Sequence, residues 1–257
     1  MKKILLLLLF SISFAFSQES INYQTPSNEI LELVEYDRPP SVTYDRDKNF
    51  MLFLYRDNYK SIEDLSQKEL RLAGLRINPK KNIGSRITYY NNVKIKNLKS
   101  KNPEVNDIIG IPNNPLIANI NWSPNQKNIA FTNTSSDGVR LWVLNLESRS
   151  LTKLTDLKLN SNIGDVINWV NDNEIIVKVI PENKQNLIDQ DGIVPMGPTI
   201  SSNEGENAQN RTYQDLLKNK TDEFNFEQLV TSDLYLINLN GKTQKWLGAD
   251  MYTSISP

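Results

Sequence analysis

The pattern of apolar and polar positions between Asn119 and Thr155 predicts four short strands in succession. Polar turns separate them, with Pro124 in one turn and Gly138 at the end of another, because Pro fixes φ and Gly accepts positive φ. The spacing predicts an antiparallel meander whose strands cover Asn119–Trp122, Asn128–Asn133, Val139–Leu146 and Ser150–Leu154.

The third predicted strand is apolar on both of its faces. Side chains alternate along a strand, so one face carries Val139, Leu141 and Val143, and the other carries Trp142, Leu144 and Leu146. A sheet that is apolar on both faces has to be covered on both. Four meandering strands packed between two neighbours are typical of one blade of a β-propeller.

A sequence pattern made of a tryptophan, a turn and an apolar strand recurs along the chain. Trp169 follows Trp122 by 47 residues, and Ser41–Asp45 followed by Met51–Leu54 is an earlier copy. Unrelated hairpins in a β-sandwich are the alternative, but sandwiches seldom repeat such a phrase. The prediction is an all-β fold, a partial β-propeller of about three four-stranded blades.

The first 17 residues have the pattern of a signal peptide. Lys2 and Lys3 precede the apolar run Ile4–Phe10, and Ala15-Phe16-Ser17 provides a cleavage site before Gln18. The run is too short to span a bilayer comfortably. We therefore expect a bacterial protein that is exported to the periplasm or the extracellular space, with no membrane segment after cleavage.

Residues 18–40 are predicted to form an N-terminal extension with a short helix that Thr25 caps and Pro26 starts. The incomplete propeller then covers residues 41–257, with insertions at about 56–86 and 181–231. In the first insertion, the capping box at Ser61 predicts a helix through about Leu72, followed by an irregular basic segment. In the second, a short helix is expected through Phe224, Phe226 and Leu229.

The composition excludes several kinds of chemistry. Lys and Arg number 29 and Asp and Glu 30, so the chain has no electrostatic footprint for nucleic acid. It contains no histidine and no cysteine, which removes the usual general base, the thiolate nucleophile and the common zinc ligands. No G-x-S-x-G motif occurs. We therefore expect no catalytic residues, no metal and no cofactor in this chain.

Several sequence segments resemble segments of the glutamyl endopeptidases, which belong to the prolyl oligopeptidase family of serine peptidases. They are Tyr23–Ile30, Leu72–Ile77, Ser85–Tyr90, Val194–Pro198 with Ser202–Glu204, and Arg211–Leu217. The resemblance implies an N-terminal propeller that gates access to an α/β-hydrolase domain carrying Ser, Asp and His. No position of this sequence matches that triad.

Two interpretations follow from the resemblance. In the first, the chain is the N-terminal propeller fragment of an exported serine peptidase, and peptide or protein substrates bind through the missing hydrolase domain. The alternative is a stand-alone exported propeller that binds a partner without catalysis.

Three arginines outside the predicted blade strands are candidate substrate-binding residues. A peptidase that cuts after glutamate has to neutralise a carboxylate, which the bidentate guanidinium does well. The two insertions that carry the resemblance contain Arg76, Arg86 and Arg211. The alternative is a structural role in which these arginines pair with acidic groups such as Glu204 or Asp215.

Overall fold

The structure is a computed structural model that describes residues 24–189, 205 and 214–255. The chain divides into two units, residues 1–37 and 38–257. The predicted signal peptide lies outside the described residues. In the first unit, helix α1 (Asn28–Val34) begins after Ser27 rather than at Thr25. Ser27 acts as the N-cap because its carbonyl oxygen accepts the first helical hydrogen bonds, from the amides of Ile30 and Leu31.

The described part of the second unit consists mainly of strands. In chain order its elements are β1 (Ser41–Tyr44), β2 (Phe50–Tyr55), α2 (Ile62–Ser66), β3 (Leu70–Leu72), β4 (Leu75–Asn78), β5 (Ile83–Gly84), β6 (Asn92–Asn97), β7 (Val105–Asp107), β8 (Ile117–Trp122), β9 (Asn128–Ser135), β10 (Gly138–Asn145), β11 (Ser150–Lys153), β12 (Ile167–Asn171), β13 (Glu174–Val179), α3 (Lys220–Val230), β14 (Ser232–Asn238) and β15 (Thr243–Asp250).

Three four-stranded sheets correspond to the three predicted blades. Their strand orders are β1-β2-β6-β7, β11-β10-β9-β8 and β12-β13-β14-β15, and every neighbouring pair is antiparallel. In the third sheet β13 pairs directly with β14, although the second insertion separates them in sequence. The predicted all-β, partial-propeller architecture is confirmed.

The central sheet is covered on both faces, as the alternation along β10 predicts. Leu141 is fully buried in a cluster shared with the third sheet, where it joins Val177 and Ile237. Leu144, on the opposite face, is buried with Leu52 and Ile95 of the first sheet. Burial of both faces of β10 therefore fixes the three sheets side by side.

The first insertion differs from the prediction. Helix α2 ends at Ser66, and Leu70–Leu72 is strand β3 rather than the end of that helix. Ala73 and Gly74, with φ of 50° and 79°, form the tight turn into β4. The segment predicted to be irregular therefore contains β4 and β5.

Tertiary packing explains the shortened helix. Ile62 and Leu65 on α2 are 86% and 70% exposed, so the helix gains little from burial, and short helices depend on such packing. By contrast, Leu72 and Ile77 of the small sheet β3-β4-β5 are buried against Leu229 of α3. The α3 helix itself lies where the sequence predicts a short helix.

A buried lysine holds the last described residues against the third sheet. The side chain of Lys178 is fully buried, and its Nζ donates to the carbonyl oxygens of Ile163 and, at 3.2 Å, of Tyr252. Ile255 packs nearby on Ile176 of β13. Burial lowers the pKa of Lys178 to about 8, because the charged ammonium loses its hydration.

This pKa predicts that raising the pH stabilises the fold. Between about pH 8 and the ordinary lysine value of 10.5, the unfolded chain keeps a proton that folded Lys178 has released. The free energy of unfolding should therefore rise across that window, relative to the same measurement on Lys178→Met. Urea denaturation at several pH values measures it, with the exposed Lys101→Met as the matched control. An identical pH dependence for wild type and Lys178→Met would contradict the prediction.

Candidate functional site

A cavity of about 710 Å³ lies beside the first insertion. Several elements position its lining: Arg56 follows β2, Arg71 projects from β3, Arg86 follows β5, and Leu116 precedes β8. We call this space the insertion cavity.

Positive charge predominates in the insertion cavity. Six cationic side chains line it, against three acidic ones, although the whole chain has a net charge of −1. An excess of one sign in a concave site attracts ligands of the other sign. The cations are Arg38, Arg56, Lys60, Arg71, Lys81 and Arg86, and the acids are Asp57, Asp64 and Glu69.

The carboxylate of Glu69 contacts four polar or charged side chains near the insertion cavity. It accepts hydrogen bonds from Ser85 Oγ at 2.5 Å, from Arg71 Nε at 3.0 Å and from Arg76 Nη1 at 3.0 Å. Arg86 Nε lies 3.7 Å from Glu69 Oε2, the carboxylate oxygen that also accepts from Ser85. These donors, with Ser85 the strongest, outweigh partial burial and lower the pKa of Glu69 to about 2. Glu69 therefore stays ionised at neutral pH and serves as an anchor for arginines rather than as a general acid.

The structure separates the predicted arginines by environment. Arg76 contacts Glu69 through Nη1 and Asp215 through Nη2, at 3.0 and 3.4 Å, and its side chain is 22% exposed. It is absent from the lining of the insertion cavity. Arg86 lines the cavity and is 66% exposed. Arg211 lies outside the described residues. Asp215 is thus one partner of Arg76, as the structural alternative anticipates.

Arg56 is a cavity residue that the sequence does not single out. Its Nε is buried and has no hydrogen-bond partner among the described residues. Nearby, Lys60 Nζ donates a hydrogen bond to the backbone carbonyl of Ser85 at 2.9 Å. The acceptor of this ammonium group is therefore a neutral carbonyl and not a carboxylate. In sequence Arg56 simply follows an apolar strand, and no local signal indicates that its Nε will be buried.

The floor of the insertion cavity is apolar. Ile83 is fully buried there, and Ile87, Tyr89 and Leu116 are partly buried. Burial raises the pKa of the Tyr89 phenol, which therefore stays neutral. The site combines cationic side chains with an apolar surface, an arrangement suited to an anion that carries a hydrocarbon portion.

The described residues contain no cluster of acidic side chains that could hold a metal ion. Among the helices within that part of the chain, none is long and apolar enough to cross a membrane. Because the 257 residues include no histidine, a Ser-His-Asp triad cannot be assembled from them alone.

No family model matches the chain. The AtxE2 isopeptidase without ligand aligns with 55% of this chain and 20% of its own, at 16% identity and a TM-score of 0.31. An acylaminoacyl peptidase of Pyrococcus horikoshii aligns with 87% of this chain and 34% of its own, at 14% identity and a TM-score of 0.31.

Two curated plant proteins are similar over nearly the whole chain. A protein of Oryza sativa subsp. japonica, described as a probable chloroplastic glutamyl endopeptidase, is 33% identical over 254 residues, which cover 94% of this chain and 27% of the relative. Its counterpart in Arabidopsis thaliana is 31% identical over 247 residues, or 91% of this chain and 25% of the relative. The chain thus spans about a quarter of the length of these relatives. Over that span, it is similar to proteins described as probable glutamyl endopeptidases.

Proposed function

We propose that this chain is the propeller portion of an exported serine peptidase of the glutamyl endopeptidase type. The similarity to the rice relative, which extends over 94% of the chain, carries this proposal. The three antiparallel four-stranded sheets support it, because the family resemblance implies a propeller in this position. The signal-like pattern of residues 1–17 supports export.

In this proposal, the catalytic domain is an α/β-hydrolase encoded outside these 257 residues. Its Ser, His and Asp would perform acyl transfer, with the histidine as the general base that this chain does not contain. The propeller would govern access of peptide substrates to that domain. Arg76, Arg86 and Arg211 remain proposed partners of a substrate carboxylate. Of the two that the structure describes, Arg86 has the more exposed side chain.

Capture of the native protein tests the proposal. Antibodies raised against this chain are used to isolate the endogenous protein from its source organism, and the captured protein is treated with a fluorophosphonate that labels activated serines. We expect a labelled protein much larger than the 29.5 kDa of this chain, in the exported fraction, that cleaves reporter peptides after glutamate. An unlabelled protein of the size of this chain would instead favour the stand-alone binding propeller.

The 257-residue chain by itself should show no peptidase turnover. It contains no histidine to activate a serine, and Glu69, which binds Ser85, has its pKa held at about 2 and is too weak a base. The assay compares the purified chain with a mock purification on glutamyl and prolyl reporters. Turnover that follows this chain through purification and disappears in the Ser85→Ala variant would overturn the expectation.

A further inference from the structure

The two insertions pack against each other, although they leave the propeller from different sheets. The first lies between β2 and β6 of the first sheet, and the second lies between β13 and β14 of the third. Leu72 and Ile77 of the first insertion are buried with Leu229 of the second. The insertions therefore link the first and third sheets by a contact that is separate from the packing of both sheets on the second.

Asp215 joins the second insertion to the first through two polar contacts. Its backbone carbonyl accepts a hydrogen bond at 3.1 Å from the amide of Gly74, in the turn between β3 and β4. Its carboxylate lies 3.4 Å from Arg76 Nη2. Asp215 has a φ of 60°, in the left-handed region that is costly for most residues. The two contacts with the first insertion offset this cost.

Three consecutive residues of the connection between β11 and β12 anchor the two insertions. Asn160 and Asn162 each donate a hydrogen bond at 2.8 Å to the carbonyl oxygen of Leu229, near the end of α3. The amide of Ser161 donates at 2.9 Å to the carbonyl oxygen of Asn82, which follows β4. Both insertions are therefore held at one loop of the propeller.

The apolar core that the insertions share is small. Among the described residues it contains three buried apolar side chains, against 14 and 11 in the two clusters that join the three sheets. Stabilisation by burial grows with the apolar area that is removed from water. A region with few buried apolar contacts opens at a lower free-energy cost than the whole fold, and it opens as a cooperative unit.

We propose that the two insertions form a clasp that holds the first and third sheets together and opens as one unit while the blades stay folded. The clasp consists of residues 67–84 of the first insertion and residues 184–189 and 214–230 of the second. Gln67, Glu69 and Asn78 of the clasp line the insertion cavity, so opening changes the shape of that cavity. The proposal does not depend on the proposed peptidase function.

Urea titration of the full chain tests the clasp with two separate reporters. The four tryptophans lie on β8, β10, β12 and β15, so their fluorescence reports the second and third sheets. The chain has no cysteine, so Lys68→Cys and Asp189→Cys allow nitroxide labelling of these two positions alone. Lys68 Nζ and Asp189 Oδ1 lie 2.9 Å apart across the two insertions, and both side chains are exposed.

The distance between the two nitroxides should increase at a lower urea concentration than the one at which tryptophan fluorescence changes, because the clasp has the smaller apolar core. Electron paramagnetic resonance measures this distance. Coincident transitions of the two reporters would overturn the proposal, since the insertions would then unfold only together with the blades.

Hydrogen exchange tests whether the two insertions act as one unit. Leu229→Ala, in the second insertion, should speed exchange of the β3 and β4 amides in the first by at least about tenfold, because it removes part of the shared core. Amides of β9 and β10 should be unaffected. Leu216→Ala is the matched control, because Leu216 lies in the same insertion and is 46% exposed. Faster exchange confined to α3, or equal acceleration in β9 and β10, would overturn the proposal.

Asp215→Asn provides a second test that does not alter the apolar core. Asparagine tolerates positive φ as aspartate does, so the variant removes only the charge that Arg76 contacts. It should lower the urea concentration at which the nitroxide pair separates and leave the tryptophan transition in place. This test remains informative even if Leu229→Ala fails to fold. An unchanged separation of the nitroxides would contradict the role assigned to Asp215 in closing the clasp.

Discussion

Replacing Leu141 with Ala is expected to lower the free energy of unfolding by about 2–5 kcal/mol, the range for large-to-small changes in a packed core. Leu141 is fully buried in the middle of β10, and its cluster includes buried residues of both the second and third sheets. The substitution removes apolar contacts and leaves a cavity where the two sheets meet. Equilibrium urea denaturation, monitored by tryptophan fluorescence, measures the loss.

Val42→Ala is the matched control for this change. Val42 lies on β1 and is 43% exposed, so its truncation should alter stability by no more than about 0.5 kcal/mol. Similar losses for the two variants would show that the contact between the second and third sheets does not dominate the stability of the fold. A loss confined to Leu141→Ala supports the packing described above.

Replacing Glu69 with Gln is expected to destabilise the first insertion by about 1–3 kcal/mol at neutral pH, the scale of hydrogen bonds to a charged group. The amide keeps the size of the side chain but removes the charge that Arg71, Arg76 and Arg86 share. Hydrogen exchange of β3 and β4 amides reports the local loss, and urea denaturation reports the global one. Glu147→Gln, in the exposed turn after β10, is the control.

The Glu69 effect should also depend on pH. The folded pKa is about 2 and the ordinary value is 4.5, so the carboxylate stabilises the folded state fully above about pH 4.5. As the pH falls from about 4.5 to about 2, the unfolded state takes up the proton first and this stabilisation is lost. The difference in stability between wild type and Glu69→Gln should therefore shrink in acid. A difference that stays constant from neutral pH down to about pH 2 would refute the role assigned to Glu69.

The blade strands could be predicted because their signal is local. Alternation along β10 assigns Leu141 and Leu144 to opposite faces, and each is buried against a different neighbouring sheet. The sequence pattern around Trp122 recurs around Trp169, and the two tryptophans lie in corresponding strands of two blades, β8 and β12. In each case a period of two residues is enough to state which side chains are covered, without any knowledge of the partner.

The first insertion could not be predicted in this way, because long-range contacts decide it. The capping box at Ser61 does start a helix, and Ser61 Oγ accepts from the amide of Asp64. The helix ends early because Leu72 and Ile77 are buried as strand residues against Leu229, which lies far away in sequence.

By itself, the sequence determined the three blades, the antiparallel pairing within them and the two apolar faces of β10, since these follow from alternation over a few residues. Only the tertiary structure decided the charge partners. It brought Arg76 between Glu69 and Asp215, left Arg86 at the cavity wall, and buried the Nε of Arg56 without a hydrogen-bond partner among the described residues. The physical reason is that an ion pair depends on distance and burial in three dimensions, and neither is encoded in the spacing of charges along the chain.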